Sequence, residues 1–93
     1  MRICILDGRK IKDRDMLHDT LAQSLKLPDW YGRNLDALLD CLTELQEETY
    51  VRMLWEEDLA IHLKGYEKAL KKVLQRASEE NPKVRWAVEQ KRA

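Results

Sequence analysis

The chain has no run of about 18 apolar residues, the length a membrane-crossing helix needs, and its apolar start, Ile3 to Leu6, is too short for a signal-peptide core. It is therefore expected to be soluble and cytoplasmic. Two prolines and three glycines leave no Pro/Gly-rich linker, and neither a repeat nor a low-complexity stretch occurs, so 93 residues are expected to form one domain over 1–93. The two cysteines, Cys4 and Cys41, fall within apolar faces, where thiols serve as small hydrophobes, and both are expected to be reduced and structural. His18 and His62 have no Cys or Glu at metal-ligand spacing, so neither a metal nor another cofactor is expected. Net charge is also lacking: 17 basic side chains balance 17 acidic ones, which argues against bulk-charge attraction to nucleic acid or membrane.

What is present is charge separation. Between Pro28 and Tyr50 stand Asp29, Asp36, Asp40, Glu44, Glu47 and Glu48 against Arg33 alone. From Lys64 onward the balance reverses, with nine bases against four acids. A neutral chain thus carries two opposed patches.

Periodicity supplies the elements. Arg2 to Leu6 alternates Ile3 and Ile5 with Cys4 and Leu6; both sets are apolar, which predicts a strand covered on both faces. Asp7 and Gly8 supply a turn. Leu17, Leu21 and Leu25 mark a helix starting at Asp15, read as its N-cap, and stopped by Pro28. Asn34 is placed to cap a second helix carrying Leu35, Leu38, Cys41, Leu42 and Leu45. Tyr50 to Trp55 alternates as a second strand. Glu56 to Lys64 reads as a short helix ended by Gly65. Tyr66, Ala69, Leu70, Val73, Leu74 and Ala77 keep strong helical spacing until Asn81 and Pro82. Val84, Trp86 and Val88 form a last strand, and Gln90 to Ala93 are expected to fray. Helix-bearing connections between strands favour parallel pairing, so the expected fold is an α/β three-stranded parallel sheet flanked by helices, in the order β-α-α-β-α-α-β.

On the second helix, Asp36, Asp40, Thr43 and Glu44 share the side opposite the leucines. Two Asp residues four apart repel by roughly 0.2 to 0.5 kcal/mol, and Asp is a poor interior helix former. Asp36 sits in the first turn, where the helix dipole favours an anion; Asp40 does not. A residue set slightly against local stability is a candidate for function, with a solvated polar face as the plainer explanation. Trp30 and Tyr31 lie just upstream in the loop, where one of the pair is expected to pack inward. Gly32 beside them permits a left-handed backbone or close approach of another molecule.

The run Leu27-Pro28-Asp29-Trp30-Tyr31-Gly32-Arg33-Asn34-Leu35-Asp36-Ala37-Leu38-Leu39-Asp40-Cys41-Leu42-Thr43 resembles the barstar inhibitor segment LPxYYGxNLDALWDxLT. Leu17, His18, the Val51 to Trp55 strand and the element order extend the resemblance across nearly the whole chain. It implies an intracellular inhibitor that plugs a basic, secreted, barnase-like ribonuclease and is not itself an enzyme. By that resemblance Tyr31 covers the nucleotide-base region, Gly32 and Asn34 make close contacts, Asp36 meets basic groups, and Asp40 takes the place of an RNA phosphate. Trp30, Leu39, Thr43, Glu44, Arg76 and Glu80 complete the implied partner-binding set. The chain departs from the family pattern at Trp30, Arg33, Leu39, Glu44, Leu45 and, near the end of the last long helix, Arg76.

Two other readings compete. Lys64, Lys68, Lys72 and Arg76 recur every four residues, which suggests a nucleic-acid-binding face; zero net charge and the lack of an RNA-binding motif favour a solvated face instead. Asp36 and Asp40 could serve an enzyme as paired carboxylates, but neighbours on one convex helix do not build the enclosed site that acid catalysis needs.

Overall fold

The computed structural model describes residues 1–89; the tail 90–93, expected to fray, lies outside them. The elements are β1 (Arg2–Asp7), α1 (Arg14–Leu25), α2 (Leu35–Thr43), β2 (Thr49–Leu54), α3 (Glu56–Leu63), α4 (Gly65–Glu80) and β3 (Val84–Glu89). Both strand pairs are parallel, in spatial order β1-β2-β3, with Cys4 opposite Val51 and Val51 opposite Trp86. The expected element order and parallel sheet are therefore as observed.

Burial corrects one expectation about the sheet. Cys4, Leu6, Val51, Met53 and Val84 are buried, but Ile3 and Ile5 are 50% and 43% exposed, so one face is covered and the other is open. Topology gives the reason. Both crossovers step the same way across the sheet, and right-handed connections then place all the helices on the same side. On the open face Arg52 donates twice to Glu89, at 2.6 and 2.7 Å.

The covered face meets Leu17, Leu21 and Leu25 of α1, Leu38 and Leu42 of α2, Leu59 of α3, and Leu70 and Leu74 of α4. Burying a leucine fully is worth about 1.5–3 kcal/mol, so this cluster carries most of the favourable folding energy. Cys4 and Cys41 are buried within it as free thiols, and burial pushes the Cys4 pKa up to about 11. Among the described residues no helix is long and apolar enough to cross a membrane.

Local chemistry moves several boundaries. Asp13, not Asp15, caps α1: its extended backbone lets the carboxylate accept from the Met16 amide at 2.8 Å, while Asp15 lies in the first turn. The second strand stops at Leu54 because Trp55 turns left-handed, at φ 55°, to start α3. Lys64, rather than Gly65, takes the positive φ between α3 and α4, and Gly65 opens α4. Gly8 is required by space: a Cβ there would lie 2.1 Å from the Trp55 carbonyl oxygen.

Candidate functional site

The loop 26–34 turns the chain from α1 into α2. Lys26 ends α1 in the left-handed region, and the Leu27 amide donates to the Ala22 carbonyl at 3.0 Å. The Tyr31 amide then donates to the Pro28 carbonyl at 2.9 Å. Gly32 does not adopt a positive φ; Arg33 does, at 57°. The glycine is explained by crowding, since its Cβ would sit 3.3 Å from both the Ala37 Cβ and the Asn34 Nδ2.

This turn sends two adjacent aromatics in opposite directions. Trp30 is 77% exposed, whereas Tyr31 is 7% exposed. The Tyr31 hydroxyl meets His18 Nδ1 at 2.6 Å, and His18 Nε2 meets the Tyr66 hydroxyl of α4 at 2.7 Å. The Arg14 guanidinium stacks 4.1 Å from the centre of the Tyr66 ring. Burial lowers the His18 pKa below its ordinary value; the nearby Arg33 and Arg14 lower it further, and Asp15 and Asp19 oppose them. Burial likewise raises the Tyr31 and Tyr66 hydroxyl pKa values. The residues around His18 border a shallow depression of about 390 Å³ that runs to Asn34, Leu35 and Asp36.

Helix α2 is fixed at both ends by side chains. At its start, Asn34 Oδ1 accepts from the Ala37 amide at 2.8 Å and Nδ2 donates to the Gly32 carbonyl at 3.2 Å. At its end, buried Asn81 reaches across from α4 and donates to the carbonyls of Leu42 at 2.9 Å and Leu45 at 3.1 Å. Its Oδ1 accepts from the Lys83 amide at 3.1 Å. Carbonyls that a helix end leaves without partners are thus satisfied by another element.

Between those ends the acidic face is open. Asp36, Asp40 and Glu44 are exposed, Thr43 and Leu39 are half-buried, and Leu39 packs its inner side on the core. Among the described residues no hydrogen bond or ion pair engages the carboxylates of Asp36, Asp40 or Glu44. Nearby cations are committed elsewhere. Arg33 pairs with Asp19 at 2.9 Å and donates to the Asp15 carbonyl at 3.0 Å, which draws it toward α1. Arg76 pairs with Glu80 at 2.8 Å on α4. Asn81, which follows Glu80, ties the end of α4 to the end of α2.

The structure thus gathers Trp30, Asn34, Asp36, Asp40, Thr43 and Glu44 along one loop and helix, with Arg76 and Glu80 paired on α4. Tyr31 stands inside. Asn34 spends its polar atoms on the cap. The sequence reading missed His18 and Asn81 as the parts that position this surface; no local pattern marks either, because their partners lie 13 to 48 residues away. No three of His, Cys, Asp and Glu gather as metal ligands among the described residues.

The fold and this surface define a small α/β domain that displays a rigid, convex acidic helix beside an exposed indole. The chain belongs to the barstar family: the family model described as Barstar (barnase inhibitor) matches residues 1–90. It is also similar to a Bacillus subtilis (strain 168) protein named "Putative ribonuclease inhibitor YrdF", with 58% identity over 43 residues. That match covers 46% of this chain and 47% of the relative, about half the length of each.

Proposed function

We propose that this protein inhibits a basic ribonuclease by laying the acidic face of α2 and the Trp30 loop over the enzyme's cationic active site. The observation that carries the reading is the pair of exposed carboxylates, Asp36 and Asp40, left without an intramolecular cation although Arg33 and Arg76 lie on the adjoining elements. A carboxylate that already had a partner would have to lose it before binding; these have only water to lose.

In this reading Asp40 lies at the centre and mimics a phosphate among the enzyme's Arg, Lys and His side chains. Asp36, one turn earlier, meets the basic rim, and Glu44 mainly speeds encounter. Trp30 is the aromatic anchor, with enough exposed surface to cover a nucleobase site. Tyr31 holds the loop from inside, which transfers to Trp30 the base-covering role that the resemblance gave Tyr31. Arg33 and Arg76 flank the acidic stripe and favour a ribonuclease with acidic groups at the matching rim positions. An ordinary interface buries about 1,600 Å² in total, which α2, the loop and the end of α4 together can offer. The convex carboxylate pair makes binding rather than catalysis the activity, and a cytoplasmic inhibitor would guard its cell against a ribonuclease destined for export.

The test is titration of the protein into a secreted basic ribonuclease from the same organism, with RNA cleavage as readout. Stoichiometric loss of cleavage that Asp40→Ala abolishes supports the proposal; cleavage unchanged at excess protein overturns it. Exposed Lys64, Lys68 and Lys72 would support nucleic-acid binding if affinity for RNA fell steeply with salt.

A further inference from the structure

His18 is 2% exposed and joins three elements: it belongs to α1, its Nδ1 meets the loop at Tyr31, and its Nε2 meets α4 at Tyr66. Hydrogen-bond accounting assigns its proton. A buried tyrosine O–H needs an acceptor, and for Tyr31 the acceptor shown is His18 Nδ1, at 2.6 Å. Nε2 therefore carries the hydrogen and donates to the Tyr66 oxygen at 2.7 Å. Tyr66 is half-buried at the depression's edge, where its own O–H can turn to water.

The two bonds respond differently to acid. A second proton on the imidazole must go to Nδ1, the atom that accepts from Tyr31. The bond to Tyr66 survives, because Nε2 still donates. The bond to Tyr31 is reversed at a cost: Nδ1–H must donate to the phenol oxygen, and the Tyr31 O–H, buried and with His18 Nδ1 the acceptor shown for it, is left without one. The charged groups around the ring are Arg14, Asp15 and Asp19 on α1, Arg33 in the loop and Asp36 on α2, with Tyr66 the group facing it from α4. Asp15 and Asp19 favour the cation, but both are also drawn to Arg33, and burial together with the arginines outweighs them.

We propose that His18 is the positioning residue of the partner-binding loop, and that its protonation unseats Tyr31 and with it the Trp30 turn and the start of α2. The partner-binding role of the loop rests on the inhibitor reading above; the acid-sensitive seat does not. The sign follows from the lowered pKa. Above about pH 6.5, the ordinary value, His18 is neutral whether the loop is seated or not. As pH falls below that value, the unseated form takes the proton first, and the seat weakens until the seated form titrates too.

The experiment is NMR of the free protein from about pH 7.5 to about pH 5, following the His18 ring and the hydrogen exchange of the Tyr31 amide, corrected for intrinsic rates. Protection of that amide should fall in step with the His18 titration, by about tenfold for each unit of pKa that seating removes. In His18→Gln, whose amide can bridge both tyrosines without titrating, protection should persist and lose its pH dependence. Constant protection while His18 titrates overturns the proposal, as does a His18→Gln variant that keeps the parent's pH profile. Should that variant fail to fold, the parent titration alone decides. Dissociation from the ribonuclease should accelerate over the same pH range in the parent and less in His18→Gln. Coinciding midpoints without any inhibition would sink the partner-binding reading while upholding His18 as the seat of the loop.

Discussion

Helices α2 and α4 pack side by side, and they use charge in opposite ways. The nine residues of α2 are held at both ends by asparagine side chains, while the acidic groups between those ends meet only solvent. The sixteen residues of α4 follow Lys64, which makes no side-chain cap bond, and rely on a buried stripe of Leu70, Leu74 and Ala77. Charges on α4 are partly resolved within the molecule: buried Glu67 lies 3.3 Å from Lys71, Lys71 lies 3.1 Å from Glu56, and Arg76 pairs with Glu80. Burial raises the Glu67 pKa, while hydrogen bonds with Glu67 and Lys71 lower that of Glu56. On the inhibitor reading, the difference separates a helix that mainly holds the core and pairs its charges from one that offers fixed ends and unpaired charges to a partner.

The contrast can be broken from either side. Asp40→Ala should have the largest effect, weakening ribonuclease binding by about 2–5 kcal/mol, mostly through faster dissociation, with the melting temperature nearly unchanged. Surface plasmon resonance and calorimetry separate the two quantities. Asn81→Ala leaves buried carbonyls of α2 unpaired and should cost about 1–3 kcal/mol in urea unfolding, with a matching loss of inhibition as the end of α2 loosens. Asn34→Ala removes the opposite support and should cost about 1 kcal/mol, read from the same unfolding curves. Lys68→Glu and Lys72→Glu, on exposed positions of the supporting helix, should change stability by no more than about 0.5 kcal/mol. Were either lysine variant to impair inhibition as strongly as Asp40→Ala, α4 would belong to the partner-binding surface and the contrast would fail.

Much of this molecule could be read from the chain. Leucine spacing and alternation gave every element, and the connection lengths gave a parallel sheet. Asn34 was legible as a cap because capping is a local reaction between a side chain and an amide three residues on. The acidic face was legible for the same reason: helical geometry fixes which side chains share a side. The start of α1 was misplaced because Asp13 and Asp15 both suit a cap, and the choice between them depends on backbone angles. Neither Gly32 nor Gly65 takes the positive φ that a glycine permits; the adjacent Arg33 and Lys64 do, and a Cβ on Gly32 would crowd Ala37 and Asn34.

The sequence by itself determined the order of elements, the leucine core and the presence of an acidic helix behind an aromatic loop, because each follows from interactions within a few residues. Only the tertiary structure decided that one face of the sheet stays open, that Tyr31 turns in while Trp30 turns out, and that His18 and Asn81 hold the loop and the helix in place. Those outcomes depend on contacts such as Asn81 to Leu42, 39 residues apart, and His18 to Tyr66, 48 apart. Hydrogen bonds of that span are set by how packed elements meet, and no local pattern encodes them.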